Sequence, residues 1–173
     1  MIEPEDTTWI AELHTLAKHK VLVGYLQAWA AIMSRLVSSH RGMPRSLRVI
    51  DGFAGPGKYD NEKDGSPILA LKTILDHQLE LPVPIRFDFI EARQDRYQSL
   101  IQCVSDLEQS CRATNRIADV QCHSRQCDEL LDEWLDECET QLRSFGPAFC
   151  FLDQFGYSNV PLLLIRKIGR AHV

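Results

Sequence analysis

The sequence lacks the marks of several common classes of protein. Its six cysteines show no paired Cys-x-x-Cys spacing, which favours reduced thiols over a disulfide framework or a metal site. Its formal net charge is −5, so it lacks the basic excess that strong non-specific binding of nucleic acid requires. No apolar run approaches the length of a membrane span, and the acidic start, residues 1–6, lacks the basic region of a secretory signal. We therefore predict a cytoplasmic protein with no metal and no membrane partner.

Hydrophobic residues make up 45% of the chain, enough for a packed core. Their spacing predicts strands at residues 47–51, 85–91, 117–122 and 148–153, and helices at residues 13–37, from 66, at 95–109, at 128–142 and from 158. Ser66 is expected to cap its helix, with Pro67 in the first turn. Because strands and helices alternate with no hairpin signal, we predict a Rossmann-like α/β fold, with a doubly wound, mostly parallel sheet and an N-terminal helix.

The end of the chain carries a separate expectation. Residues 168–173, Ile-Gly-Arg-Ala-His-Val, can be encoded by a nucleotide string typical of sequencing-library adapters, so we interpret them as a non-native tail; a genuine helix end is the alternative. Residues 1–167 contain no repeat or linker and are expected to form a single domain. On this interpretation the domain is C-terminally truncated, and its sheet lacks its last strands.

Ligands of open α/β sheets bind at the carboxyl ends of the strands, so the residues that follow each predicted strand are candidate site residues. The first strand is followed by Asp51-Gly52-Phe53-Ala54-Gly55-Pro56-Gly57. The spacing of its glycines is neither that of a dinucleotide fingerprint nor that of a P-loop, because Tyr59 follows Lys58 where a P-loop has Ser or Thr. The segment is similar to the first motif of S-adenosylmethionine-dependent methyltransferases, whose loop supports the amino-acid end of the cofactor and whose acidic residue can engage its ammonium group.

The second and third strands end in further candidates for the same ligand. Glu91 could accept hydrogen bonds from two ribose hydroxyls, or could cap the next helix. After the third strand, Gln126 or Asp128 could meet an adenine amino group, with helix capping as the alternative for Asp128. The predicted cofactor-binding residues are Asp51, Gly52, Phe53, Ala54, Gly55, Gly57, Glu91 and Gln126.

The fourth strand ends in Asp153-Gln154-Phe155-Gly156-Tyr157, which resembles the Asp-Pro-Pro-Tyr motif of amino-group methyltransferases. Gln154 and Phe155 stand in place of the two prolines. In such enzymes the aspartate holds the target amino group while an aromatic ring stacks on a flipped base. The resemblance implies that Asp153 aligns an amine and that Phe155 or Tyr157 stacks a base. The alternative for Asp153 is a strand-end acid that caps the next helix.

Several segments together resemble the three-Cys-motif partner protein family. They are residues 14–20 with 25–29, the stretch Asp-Gly-Phe-Ala-Gly-Pro-Gly-Lys-Tyr at 51–59, Gly-Ser-Pro at 65–67, and 152–157. The likeness covers residues 13–165. It implies a methyltransferase-like fold in a bacterial protein often carried by mobile or defence-related loci. It also implies a phage-type partner that bears a three-cysteine motif.

The first helix completes the predicted site. His14 and Lys18 are four residues apart and share a helix face. We expect this face to cover the glycine loop, with Lys58 and Tyr59 at the same mouth; a solvated polar face is the alternative. Two functions stay open: a methyltransferase that uses S-adenosylmethionine on a nucleic-acid amine, and a catalytically silent module that binds the three-Cys-motif protein.

Overall fold

A computed structural model describes residues 6–8, 10–11, 13–40, 46–61, 63–141, 145–153 and 160–170. These residues form helices and strands in the alternating order that the sequence predicts. In chain order they are α1 (Leu13–Ser39), β1 (Leu47–Asp51), α2 (Ser66–Leu75), β2 (Ile85–Ile90), α3 (Gln94–Ser105), α4 (Glu108–Arg112), β3 (Ile117–His123), α5 (Cys127–Thr140), β4 (Ala148–Phe151) and α6 (Leu162–Arg170).

The four described strands form one parallel sheet in the order β3-β2-β1-β4. This confirms the predicted α/β class, parallel sheet and N-terminal helix, and the arrangement is compatible with a Rossmann-like fold. From β1 the chain winds outward through β2 to β3, and then crosses back to place β4 on the other side of β1. The strand order therefore reverses between β1 and β4, which is the point where open α/β sheets bind their ligands.

Helices cover both faces of the sheet, which explains why its central strands are almost continuously apolar. On one face, Phe87 and Phe89 are fully buried in a core shared with α1 and α2. On the other face, Ile50 and Ile90 are fully buried against α5 and α6. Each such side chain stabilises the fold by roughly 1.5–3 kcal/mol relative to an exposed one.

Helix α1 is longer and more apolar than a typical surface helix. It has 27 residues, and an 18-residue window within it reaches a mean hydropathy of 1.3, with 28% of that window buried. By length and composition such a helix could cross a membrane, so the prediction that no apolar run approaches that length is wrong on this measure. Core helices of water-soluble proteins and signal sequences pass the same test. The cytoplasmic location therefore stays a prediction.

Two predicted boundaries moved for identifiable reasons. Ser66 does not cap α2; it opens the helix, and Gly65 occupies the capping position. The Gly65 amide bonds to Gly57 O at 2.7 Å, and a Cβ on Gly65 would lie 2.9 Å from that same oxygen.

The helix predicted at 95–109 is broken into α3 and α4, where the Leu107 amide bonds to Val104 O at 3.0 Å in a tighter turn. This break allows Cys111 to be buried in the core.

The later boundaries place the candidate acids in loops. Strand β2 ends at Ile90 and β4 ends at Phe151, so Glu91 and Asp153 each follow their strand instead of lying within it. Helix α5 begins at Cys127 with Gln126 in the capping position, and Asp128 therefore lies in the first turn, where an acid complements the helix dipole.

Candidate functional site at the carboxyl edge of the sheet

The carboxyl edge of the sheet beyond β1 and β4, called the crevice below because ligands of open α/β sheets bind at this position, carries three sequence-predicted acids. Asp51 ends β1, Glu91 follows β2 and Asp153 follows β4. Asp153 and Glu91 each raise the pKa of Asp51 by their charge, so both acids lie close enough to Asp51 to act on it. This edge is therefore the candidate site, and it is built from residues that sequence reasoning had singled out.

The loop after β1 needs glycine at defined positions. Gly55 and Gly57 have φ of 65° and 85°, a left-handed conformation that other residues rarely adopt. At Gly52 a Cβ would lie 2.5 Å from the Sγ atom of Cys127. The first glycine therefore allows α5 to approach the end of β1, while the other two shape the bend.

The rest of this loop folds back on itself and onto α3. The Tyr59 amide donates to Lys63 O at 2.9 Å, and Lys58 forms an antiparallel bridge with Asp64. On the α3 side, the Ser99 hydroxyl donates to Pro56 O at 2.9 Å. Contacts within the loop and with α3 thus fix its path.

Four consecutive loop amides already have acceptors inside the protein. Gly52 N–H donates to Phe151 O (2.9 Å), Phe53 N–H to Asp51 Oδ1 (3.2 Å), Ala54 N–H to Ile90 O (3.0 Å) and Gly55 N–H to Glu91 Oε2 (2.9 Å). In this conformation the amides from Gly52 to Gly55 are not free for a ligand, and the adjoining Asp51 carboxyl group is buried. The cofactor-binding roles of these glycines stay predictions.

Asp51 has a buried carboxyl oxygen without a hydrogen-bond partner among the described residues. Its side chain is 3% exposed, and among the described residues Oδ2 has no hydrogen-bond partner. Burial raises the pKa of Asp51 to about 7, and Asp153 and Glu91 add to this rise. The Phe53 amide opposes it, as does the nearby Ser66 hydroxyl, although that hydroxyl is outside hydrogen-bond geometry to Oδ2. A buried polar atom left without a partner costs about 1–3 kcal/mol, so a ligand that donates to Oδ2 would recover that energy.

Glu91 connects the loop to the end of β2. Its two carboxyl oxygens accept from the amides of Gly55 at 2.9 Å and Arg93 at 2.8 Å, and the residue is 8% exposed. Each carboxylate oxygen can accept a second hydrogen bond, so these contacts are compatible with the predicted contact to a ribose. That contact stays a prediction.

The first turns of α1 lie over the mouth of the crevice at two points. Lys18 Nζ donates to Asp153 Oδ1 at 2.6 Å, with the two side chains 45% and 34% exposed. The His19 and Tyr59 rings lie 5.8 Å apart between centroids. Burial raises the pKa of Tyr59 to about 12, with Asp51 and Asp153 adding to the effect. The structure therefore places Lys18 and Tyr59 beside the acids, as predicted for a cover, although His14 on the same helix is exposed.

His19 is a site residue that the sequence analysis did not identify. It is buried, and burial lowers its pKa, an effect that Asp153 opposes and Lys18 reinforces. The helical spacing offered a signal, because His19 lies three and seven residues before the buried Leu22 and Leu26 and so shares their face.

The other predicted residues lie elsewhere. Gln126 is exposed at the start of α5. Burial raises the pKa of Cys103, and the charge of Lys58 opposes that rise. Lys58 therefore acts on Cys103, whereas the Tyr59 ring lies beside His19. Phe155 and Tyr157 lie outside the described residues.

A buried ion cluster on the α5 face of the sheet was also missed. Asp88 is fully buried and accepts from Arg48 Nε at 2.7 Å and from His123 Nε2 at 2.8 Å. Burial alone would raise the pKa of Asp88, but these hydrogen bonds outweigh it and lower the pKa. The Arg48 guanidinium lies 4.0 Å from the centroid of the Trp134 ring. The cluster stabilises the sheet on the face away from α1.

Within the described ranges, no three His, Cys, Asp or Glu side chains lie close enough together to hold a metal ion.

Comparison with known proteins gave no match to a family model, to a curated protein or to a solved structure. Membership of the three-Cys-motif partner family therefore stays a prediction from the residues quoted above.

Proposed function

We propose that the crevice binds S-adenosylmethionine, and that the chain is a methyltransferase of the three-Cys-motif partner type acting on an amine. The observation that supports this most directly is the unpartnered Asp51 Oδ2 at the point where the strand order reverses. An ammonium group is the natural donor to such an oxygen, because a cation next to a buried carboxyl also favours its charged form.

The charge of the crevice favours the same class of ligand. Asp51, Glu91 and Asp153 bring three carboxyl groups to this edge of the sheet, and Lys18 pairs with Asp153. Carboxyl groups gathered in this way attract cations. S-adenosylmethionine carries an ammonium and a sulfonium and offers ribose hydroxyls, for which Glu91 is the proposed acceptor.

The proposed residues would hold and orient both reactants. When bound, the cofactor supplies an already activated methyl group, so the protein contributes position and exclusion of water. Asp51 would hold the ammonium end, and Asp153 would align the acceptor amine and take up the proton that it loses. The first turns of α1 would close the mouth. A nucleic-acid amine is the acceptor that the motif around Asp153 implies.

A second candidate is a catalytically silent module that binds the three-Cys-motif protein. Two observations favour it. The loop amides from Gly52 to Gly55 already have acceptors, and Lys18 already occupies an oxygen of Asp153. A site whose hydrogen-bonding groups already have partners within the protein fits a protein that binds another protein and catalyses no reaction.

Titration calorimetry with S-adenosylmethionine tests the cofactor binding that the methyltransferase requires. We expect heat from the wild type and a loss of affinity of about tenfold or more in Asp51→Asn, because a charged hydrogen bond contributes about 1.5–3 kcal/mol. Asp64→Asn is the matched control, since Asp64 lies on the same loop but accepts from Lys72. Absence of heat from the wild type would refute cofactor binding. Transfer of a labelled methyl group to a DNA or RNA pool, with the partner present, separates the enzyme from the silent module.

A further inference from the structure

Two acids of the proposed site are too deeply buried for a ligand to reach them directly. Asp51 is 3% exposed and Glu91 is 8% exposed, and Ala54 in the glycine loop is 4% exposed. A ligand of the size of S-adenosylmethionine therefore reaches these carboxyl groups only when a covering part of the protein moves aside. The contacts around the two acids indicate which part costs least to move.

The glycine loop itself is costly to move. Its Ala54 amide bonds to Ile90 O at the end of β2. Its Gly52 amide bonds to Phe151 O at the end of β4. Opening the loop would break these bonds and leave buried backbone groups without partners, which a protein interior strongly disfavours.

Residues 6–8, called the N-terminal strap below, lie against the outside of the same region. The Thr7 hydroxyl donates to Asp95 Oδ2 at 2.7 Å, in the first turn of α3. The Thr8 hydroxyl donates to Asp60 Oδ1, in the turn that follows the glycine loop. Two successive residues of the strap thus join the start of α3 to the segment after β1.

The strap is also connected to Glu91. The carboxyl group of Glu91 accepts from the Gly55 amide, on the glycine loop, and from the Arg93 amide, directly before α3. The Arg93 side chain in turn donates to both oxygens of Asp95, at 3.1 and 2.8 Å. Asp95 is the same carboxylate that holds Thr7. A ligand at Glu91 and the docked strap therefore act on a shared set of contacts.

The strap is held by contacts that break easily. Asp95 and Asp60 are exposed, so water competes for both hydroxyl bonds. The Arg96 guanidinium adds a bond to Asp6 O at 3.2 Å. Segments with solvent-exposed hydrogen bonds and few buried contacts open locally, at a free-energy cost below that of global unfolding. The strap can therefore open while the sheet and the glycine loop stay folded.

We propose that the N-terminal strap is a lid on the cofactor side of the site, which releases Asp95 and Asp60 to admit S-adenosylmethionine and closes again beside Glu91. This inference rests on the proposed function for the identity of the ligand. It adds an entrance on the Glu91 side, separate from the Lys18–Asp153 pair on the acceptor side. A closed lid also excludes water from the bound cofactor.

Stopped-flow measurement of S-adenosylmethionine association tests the lid. Thr7→Val/Thr8→Val keeps the shape of both side chains and removes both hydroxyl donors. We expect this variant to associate about fivefold faster or more, with an unchanged midpoint of urea unfolding, because the lost bonds favour the open strap. Thr140→Val is the matched control and should leave the rate unchanged. Thr140 is an exposed threonine at the end of α5, about 20 Å along that helix from its first residue.

Chemical labelling of a buried thiol measures the opening itself, without any ligand. Ala11 is 7% exposed and lies three residues after the strap, so Ala11→Cys places a thiol that reagents reach only when this part of the chain opens. We expect iodoacetamide to label it at a rate that low urea concentrations leave unchanged, and about fivefold faster when Thr7→Val/Thr8→Val is added. Peptide mass spectrometry separates this thiol from the six native ones, of which the buried Cys127 reports global unfolding.

Two results would overturn the proposal. Labelling of Ala11→Cys that rises with urea as steeply as that of Cys127 would show that the strap opens only when the whole domain unfolds. An association rate that Thr7→Val/Thr8→Val leaves unchanged would place the entrance elsewhere, and on the Asp153 side if Lys18→Met raises it. Failure of the proposed function is a different observation, since the wild type then gives no heat with S-adenosylmethionine while the labelling still reports whether the strap opens.

Discussion

Lys18 Nζ lies 2.6 Å from Asp153 Oδ1, and this ion pair joins the start of the first helix to the loop after the last strand. The two residues are 135 positions apart in the chain. Their contact covers the crevice in which Asp51 is buried. A substrate amine that uses Asp153 in the proposed site therefore either displaces Lys18 from Oδ1 or binds the other carboxyl oxygen.

The Lys18–Asp153 pair should matter for access and little for stability. Its side chains are 45% and 34% exposed, and ion pairs with this exposure stabilise a fold by about 1 kcal/mol or less. We expect Lys18→Met to change the free energy of unfolding in urea by no more than that, and to increase the rate of ligand association measured by stopped flow. Lys20→Met, at an exposed position on the same helix, should change neither. Loss of several kcal/mol in Lys18→Met would show that the pair holds the fold together.

Asp51 should make the ligand-free protein less stable as the pH rises from about 4 to 7. Its pKa is about 7 in the folded chain, against an ordinary value of 3.8, so in this range the folded state binds more protons than the unfolded state. Stability then falls with rising pH and becomes level above pH 7. A shift of about three units corresponds to about 4 kcal/mol as an upper limit.

Asp51→Asn should remove this slope and stabilise the protein at pH 8, since the amide has no charge to bury. Chemical denaturation at pH 5 and pH 8 measures the difference, with Asp64→Asn as the control that keeps the slope. Parallel pH profiles for the wild type and Asp51→Asn would show that Asp51 is ionised in the folded protein at both pH values.

Binding of S-adenosylmethionine should release protons near pH 6. The free Asp51 is largely protonated there, since its pKa is about 7, and an ammonium placed at Oδ2 favours the ionised carboxylate. Affinity should therefore rise as the pH increases from 5 to 8. Calorimetry in two buffers of different ionisation enthalpy measures the protons released. Equal heats in both buffers, with binding intact, would place the ligand away from Asp51.

Much of the fold and the outline of the site could be predicted from the sequence. The stretch Leu47–Asp51 is a short apolar run between polar segments, and its bounds as a strand were predicted correctly. Because parallel strands end at a common edge, the acids Asp51, Glu91 and Asp153 could be expected to converge once the alternation of strands and helices was recognised.

The remaining features depend on contacts between distant parts of the chain. The loop amide of Ala54 is occupied by Ile90 O, a backbone atom on another strand that no local pattern specifies. Asp88 is an acidic residue between two phenylalanines of β2, and only the register of the sheet brings Arg48 and His123 to it. Likewise, the tertiary structure decides whether a group predicted to bind a ligand already has a hydrogen-bond partner within the protein.

Substitution of Gly57 in the glycine loop should lower the free energy of unfolding, whereas the same substitution at Gly24 in α1 should raise it. Gly57 has φ of 85°, and a Cβ there would lie 2.9 Å from Cys103 Cβ, so Gly57→Ala combines backbone strain with overpacking. We expect a loss of about 1–3 kcal/mol of unfolding free energy. The same substitution at Gly24, in open space on α1, should gain about 0.5–1 kcal/mol, because alanine is the better helix former. Urea denaturation of both variants at low protein concentration compares them directly, and equal effects of the two substitutions would contradict the left-handed bend at Gly57.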